Sequence, residues 1–240
     1  MTTNPWRDLA SALVLVLALG GTLGCPAHTR MAPAIISQVE DTLEGQARTL
    51  QVSCHTGPFF RDARFRFLSD RPPETVDLLR GPRDEPITAG AADGLIPAGT
   101  RVRILDVQLP TATNVTGRSL LTPRYFTWVL VEVPGSQTPH VLVFRDDPPD
   151  LAGFEAMVGR YLGDDSVLKA LEGLHPDVQA AIEHKELLAG MRADAAQMAW
   201  GFPRQIQRTV EAGVKKERWI YEGGATIDLE NDHVKRWETP

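Results

Sequence analysis

The sequence predicts an α+β protein built in two units: a small all-β unit, then a two-layer unit in which helices precede an antiparallel sheet. Three observations carry this expectation. Residues 58–147 alternate polar and apolar side chains in short runs between Gly and Pro turns. Asp146-Asp147-Pro148-Pro149-Asp150 is a stiff acidic break. Beyond it, apolar residues first recur at helical spacing and then alternate in four short runs.

The elements follow in order. Residues 26–33 read as a polar tether, and 25–57 together as tether plus amphipathic helix. Ile36, Val39, Leu43, Ala47 and Leu50 recur every three or four residues and predict one helical face over 34–52. Such a helix either packs on the unit that follows or is offered to a partner. Arg64-Phe65-Arg66-Phe67, Thr75-Val76-Asp77-Leu78-Leu79 and 101–107 alternate as strands. The run 126–133 contains Trp128, turns at Pro134-Gly135-Ser136 and returns through Val141-Leu142-Val143-Phe144. Residues 110–123 form an insertion.

In the second unit, 150–240, Phe154, Met157, Val158, Tyr161 and Leu162 make a helical face. Ser166 caps a helix over 167–171, and His175-Pro176 opens another. A third runs from Ala193 to Trp200 and is stopped by Gly201 and Pro203. Strands follow at 205–210, 217–221, 226–230 and 233–237, with Asn231-Asp232 as a two-residue hairpin turn.

The N-terminus sets a compartment. One positive charge, Arg7, precedes an apolar run over 9–23 that is short for a bilayer span of about 20 residues. It ends in Thr22-Leu23-Gly24-Cys25, which resembles a bacterial lipobox. The resemblance implies a signal peptide over 1–24, removal before Cys25 and acylation of Cys25, by palmitate among other chains. Thr22 stands where the usual Leu would be. A plain secretory signal and an uncleaved anchor are the alternatives. Two or three acyl chains would hold the protein on a membrane. Pro26, rather than Asp, follows the cysteine. By the retention rule of Gram-negative lipoproteins this resembles an outer-membrane destination at the periplasmic face.

Two further resemblances bear on fold. Ile96-Pro97-Ala98-Gly99-Thr100-Arg101-Val102 before a strand, then a Trp-bearing strand, resembles a bacterial SH3-like barrel. Leu188-Ala189-Gly190-Met191, Trp200-Gly201-Phe202-Pro203, Glu217-Arg218-Trp219-Ile220-Tyr221 and 227–234 resemble the outer-membrane lipoprotein family of the BamE (SmpA/OmlA) type, part of the β-barrel assembly machinery. Arg192 stands where that family has a capping Thr, and Asp232 replaces the turn Gly. The resemblance implies a helix-then-hairpin fold and protein partners in the envelope. Alternation places Trp219 and Tyr221 on one sheet face, toward the helices, and Arg218 on the other, with Asp228 and Glu230 as neighbours. Arg218, Asp228 and Glu230 are therefore the candidate partner-binding residues.

Composition and motifs narrow the chemistry. The net charge is −6 and no window is strongly basic, which argues against nucleic acid. The two cysteines make no disulfide framework if Cys25 is acylated. Cys54-His55 suggests a nucleophile, but neighbours on a strand face opposite ways, and cysteine is commonly buried. The histidines are scattered, and no HExxH, GxSxG or P-loop occurs. The acidic run at 146–150 reads as a solvated linker rather than a calcium loop. No cofactor, metal or catalytic residue is implied. The expectation is a non-enzymatic, lipid-anchored envelope protein that binds protein partners. The alternative is a peptidoglycan-binding lipoprotein acting through the SH3-like unit.

Overall fold

A computed structural model of the chain describes residues 29–239, so the run ending at Cys25 lies outside the described residues. The fold is mixed α+β, with an eight-stranded sheet and a separate four-stranded antiparallel sheet. Helix α1 (Pro33–Leu43) opens on a proline and ends before Gly45, whose φ of 77° suits glycine. The helix expected to reach residue 52 therefore stops early, and its last turns become strand β1 (Ala47–Leu50). Val39 and Leu43 are buried, so α1 is packed on the body of the unit.

Six more strands complete most of the larger sheet: β2 (Cys54–Pro58), β3 (Arg66–Ser69), β4 (Gly94–Ile96), β5 (Arg101–Gln108), β6 (Thr127–Glu132) and β7 (His140–Phe144). Helix α2 (Ala112–Gly117) lies in the insertion between β5 and β6, its first turn capped by Thr111. The expected strand at 75–79 is absent. A 3-10 turn at Pro73–Thr75 leads into irregular chain there, although Val76 and Leu78 still turn inward. Their alternation serves burial without a ladder partner.

Helix α3 (Leu151–Gly159) and the two-residue strand β8 (Leu162–Gly163) follow. The sheet order is β4-β2-β3-β7-β6-β5-β1-β8, with β3 and β7 parallel and the other pairs antiparallel. Strand β8 thus belongs to the larger sheet. Phe154, Val158 and Leu162 share one core with Val39, Leu50, Val129 and Val131. The boundary expected at 148–150 is corrected by these contacts: the larger unit extends through Gly163. The apolar face of α3 closes the core of the unit before it. Asp150 caps α3 through Gly153 N–H, and Asp147 accepts from Thr29 Oγ1 at 2.7 Å. These two acids thus have structural partners, while Asp146 and Asp150 stay exposed to solvent.

Strand β6 explains why the larger sheet has two cores. Val129 and Val131 face α1 and α3. Trp128 and Leu130 face an aromatic cluster of Phe59, Phe65 and Phe67 on the other side. Trp128 meets Phe59 edge-on at 4.9 Å between ring centroids.

Helices α4 (Ser166–Glu172), α5 (Pro176–Glu183) and α6 (Ala193–Trp200) precede β9 (Gln205–Glu211), β10 (Val214–Ile220), β11 (Thr226–Glu230) and β12 (His233–Glu238). The last four form the antiparallel order β12-β11-β10-β9. Asp165, not Ser166, stands at the N-cap of α4, and its side chain makes no cap bond. Asn231 and Asp232 both have positive φ, 49° and 63°, as a two-residue hairpin between β11 and β12 requires.

Candidate functional site

The open face of the four-stranded sheet follows from strand alternation. Trp219, Ile227, Leu229 and Val234 are buried against Ala195, Ala196 and Ala199 of α6 and Ile182 of α5. Alanines at these helix positions let the sheet approach closely enough to bury an indole. Arg192 offers α6 no side-chain cap, but the hairpin carbonyl of Asp232 accepts from Ala193 N–H at 2.8 Å. The missing threonine is thus replaced by backbone from β11–β12.

Arg218 and Asp228 face away from these helices and meet as cross-strand partners. The guanidinium grips the carboxylate twice, at 2.7 Å and 3.0 Å. Arg236 of β12 donates to the same carboxylate at 2.5 Å. These arginines hold the Asp228 carboxyl below the usual carboxylate range. Glu230 lies on the same face beside Lys235, at 3.7 Å. The three predicted residues are therefore brought together, lining a shallow groove of about 450 Å³ with Gln207, Thr209 and Lys216.

Glu217, on the helix side of the same strand, was not foreseen. It is buried and accepts from Trp219 Nε1 and Arg208 Nε, each at 2.8 Å, with Lys215 Nζ at 3.1 Å. Burial pushes its carboxyl up, but the donors from Trp219, Arg208 and Lys215 outweigh that and bring it down to about 2. It anchors the Trp219 indole and ties the two strands to each other.

Cys54 and His55 do not form a nucleophile pair. Cys54 is fully buried, and its thiol donates weakly to Val52 O at 3.6 Å. Burial pushes that thiol up to about 12, against an opposing pull from Lys185, so no thiolate forms near neutral pH. His55 is held down to about 4 by burial and by Lys185. This region is a structural seam. Ser53 N–H and Oγ donate to Met198 O and Ile182 O at 2.7 Å and 2.6 Å. Lys185 Nζ donates to Ser53 O and Ala199 O at 2.6 Å and 2.7 Å. No side-chain pattern in the sequence points to Lys185, because its partners are backbone carbonyls, one on the neighbouring helix α6 and one in a loop 132 residues away.

Beside the seam lies a cleft of about 450 Å³, walled by both units. Arg71 and Arg145 converge on Glu222, at 2.5 Å and 3.1 Å. Asp70 accepts from Tyr161 Oη and Phe202 N–H, each at 3.3 Å. Gly201 has φ 84° and ψ −154°, the mirror-image extended region rather than the left-handed helical one, and a Cβ there would run into the Asp70 carboxylate. The glycine that ends α6 thus also allows the chain to pass against the cleft. Among the described residues no group of three metal-ligating side chains occurs, and no helix is long and apolar enough to cross a membrane.

Compared with family models, with curated proteins and with solved structures, the chain matches none.

Proposed function

We propose that this chain is a non-catalytic, lipid-anchored protein of the bacterial envelope that binds a protein partner through the open face of its four-stranded sheet. The carrying observation is that face itself. Arg218, Asp228, Arg236 and Glu230 stand on it in fixed positions, and no described element covers them. A rigid pattern of both charge signs favours selectivity and rate of encounter with a complementary protein surface. The helix-then-hairpin order of the smaller unit supports the likeness to the BamE type, and the run ending in Cys25 supports the lipid anchor at the outer membrane. The SH3-like reading of the larger unit, with peptidoglycan as ligand, has less support. Trp128, whose strand carries that likeness, is 1% exposed.

A photo-crosslinking residue at Gln207, on the open face, tests the reading in cells. It should capture one discrete envelope protein, and Arg218→Glu should abolish that product at unchanged abundance. Capture that is indifferent to Arg218→Glu, or found only from positions on the larger unit, would refute it. Cys25→Ser should separately remove the acyl mass from the mature chain.

A further inference from the structure

We infer that the cleft between the two units is a binding site for a small carboxylate-bearing ligand, of amino-acid or dipeptide size. The inference stands apart from the open sheet face and does not depend on it. Arg71, Arg145, Arg160 and Arg204 line the cleft, against the acids Asp70, Asp146 and Glu222. The lining is thus net positive in a chain of net charge −6. Two of these arginines are already engaged with Glu222. Arg160 and Arg204 have no acidic partner among the described residues.

Arg160 is nonetheless held in place. Its guanidinium carbon lies 4.3 Å from the centroid of the Phe202 ring, and Phe202 packs on Tyr161 at 5.1 Å. Stacking fixes the guanidinium plane and leaves its N–H edge to donate. Arg204 enters on the chain that follows Pro203, anchored by its backbone N–H on Ile220 O at 2.8 Å. The cleft already contains the interaction it would offer: Glu222 is a carboxylate received by two guanidiniums from the larger unit. A ligand carboxylate on Arg160 and Arg204 repeats that pairing with planar, two-donor geometry. The volume lies in the lower part of the range for small-ligand sites, and the rings of Tyr161 and Phe202 supply an apolar wall. Because the walls come from both units, an occupant would also brace one against the other.

The test uses the purified full chain in detergent, with NMR observation of the arginine side-chain N–H groups. The probes are Ala-Ala with a free carboxylate, the same dipeptide amidated, and inorganic phosphate. The free acid should shift cleft arginine resonances and bind at least about tenfold more tightly than the amide, since charge-assisted pairing is lost in the latter. Arg204→Gln and Arg160→Gln should each weaken that binding by a similar factor. Both side chains are exposed, so the fold should persist, which the remaining spectrum reports. The proposal is overturned if the free acid does not bind, if acid and amide bind equally, or if neither substitution matters. Tighter binding of phosphate than of the dipeptide would likewise overturn the carboxylate assignment.

Discussion

The eight-stranded sheet is covered on both faces, whereas the four-stranded sheet is covered on one. In the larger sheet, consecutive residues of β6 enter two different cores, so Thr127, Trp128, Val129, Leu130 and Val131 are all buried. In β10 the side chains alternate between buried Glu217 and Trp219 and half-buried Lys216, Arg218 and Ile220. A strand buried on both sides has no face left for recognition, while one covered on a single side presents a row of side chains at fixed spacing. Under the proposed function, protein recognition lies on the open face of the smaller sheet, which has side chains to spare for it.

Cutting the chain before Asp150 should have the largest effect. A fragment of residues 150–239 would carry α3 without its core, exposing Phe154, Met157 and Val158. It should fail to fold as a soluble unit, and limited proteolysis near Pro148-Pro149 should leave the two pieces associated. Recovery of a well-folded monomer from 150–239 would show that the larger core does not need α3.

Next in size is Trp219→Ala. The indole is 4% exposed and donates to Glu217, so the substitution should cost about 3–5 kcal/mol by denaturant unfolding. Arg118→Met probes the larger sheet in a comparable way. This guanidinium is 6% exposed and stacks on Trp128 at 4.0 Å, donating to the carbonyls of Gln108, Arg124 and Phe126. Burial brings it down to about 10, still charged at neutral pH. Methionine would fill much of the space but leave the three carbonyls without that donor, a loss of about 2–4 kcal/mol.

Acid should separate the two sheets by pH window. In the larger sheet, burial followed by the influence of Arg66 holds His140 neutral down to about 4, and His55 behaves similarly, against an ordinary value of 6.5. The unfolded chain takes up those protons first, so their contribution is complete above pH 6.5 and lost as pH falls toward 4. In the smaller sheet, Glu217 sits at about 2 instead of 4.5. Its contribution is complete above pH 4.5 and lost as pH falls toward 2. Thermal unfolding against pH should therefore show His140→Gln flattening the upper window and Glu217→Gln the lower one. A single shared window unaffected by either substitution would contradict the assignment.

Arg218→Ala removes a half-exposed ion pair, yet Arg236 remains on Asp228. The cost should be below about 1 kcal/mol, while partner capture falls. A loss as large as that of Trp219→Ala would mean that the open face is part of the structural frame.

By itself, the sequence determined the elements whose signals are local. The hairpin at Asn231-Asp232, the stop at Gly201 and the placing of Trp219 opposite Arg218 all follow from backbone sterics and period-two alternation. It also placed Arg218, Asp228 and Glu230 on one face, because register within neighbouring short strands leaves little choice. Tertiary structure decided what depends on distant partners. Residues 47–50 share helical spacing with α1, but pairing with β5 and β8 makes them strand. Val76 and Leu78 alternate like strand residues but find a hydrophobic core instead of a ladder. The helix after Pro149 carries an apolar face that fits either unit by pattern, and only packing on α1 and the larger sheet assigns it. The anchoring of Lys185 on two carbonyls and the gathering of four arginines around one cleft have no sequence period at all. They arise where burial brings together segments such as those of Ser53 and Lys185, 132 residues apart, which constrains shape and leaves the polar meeting points to the fold.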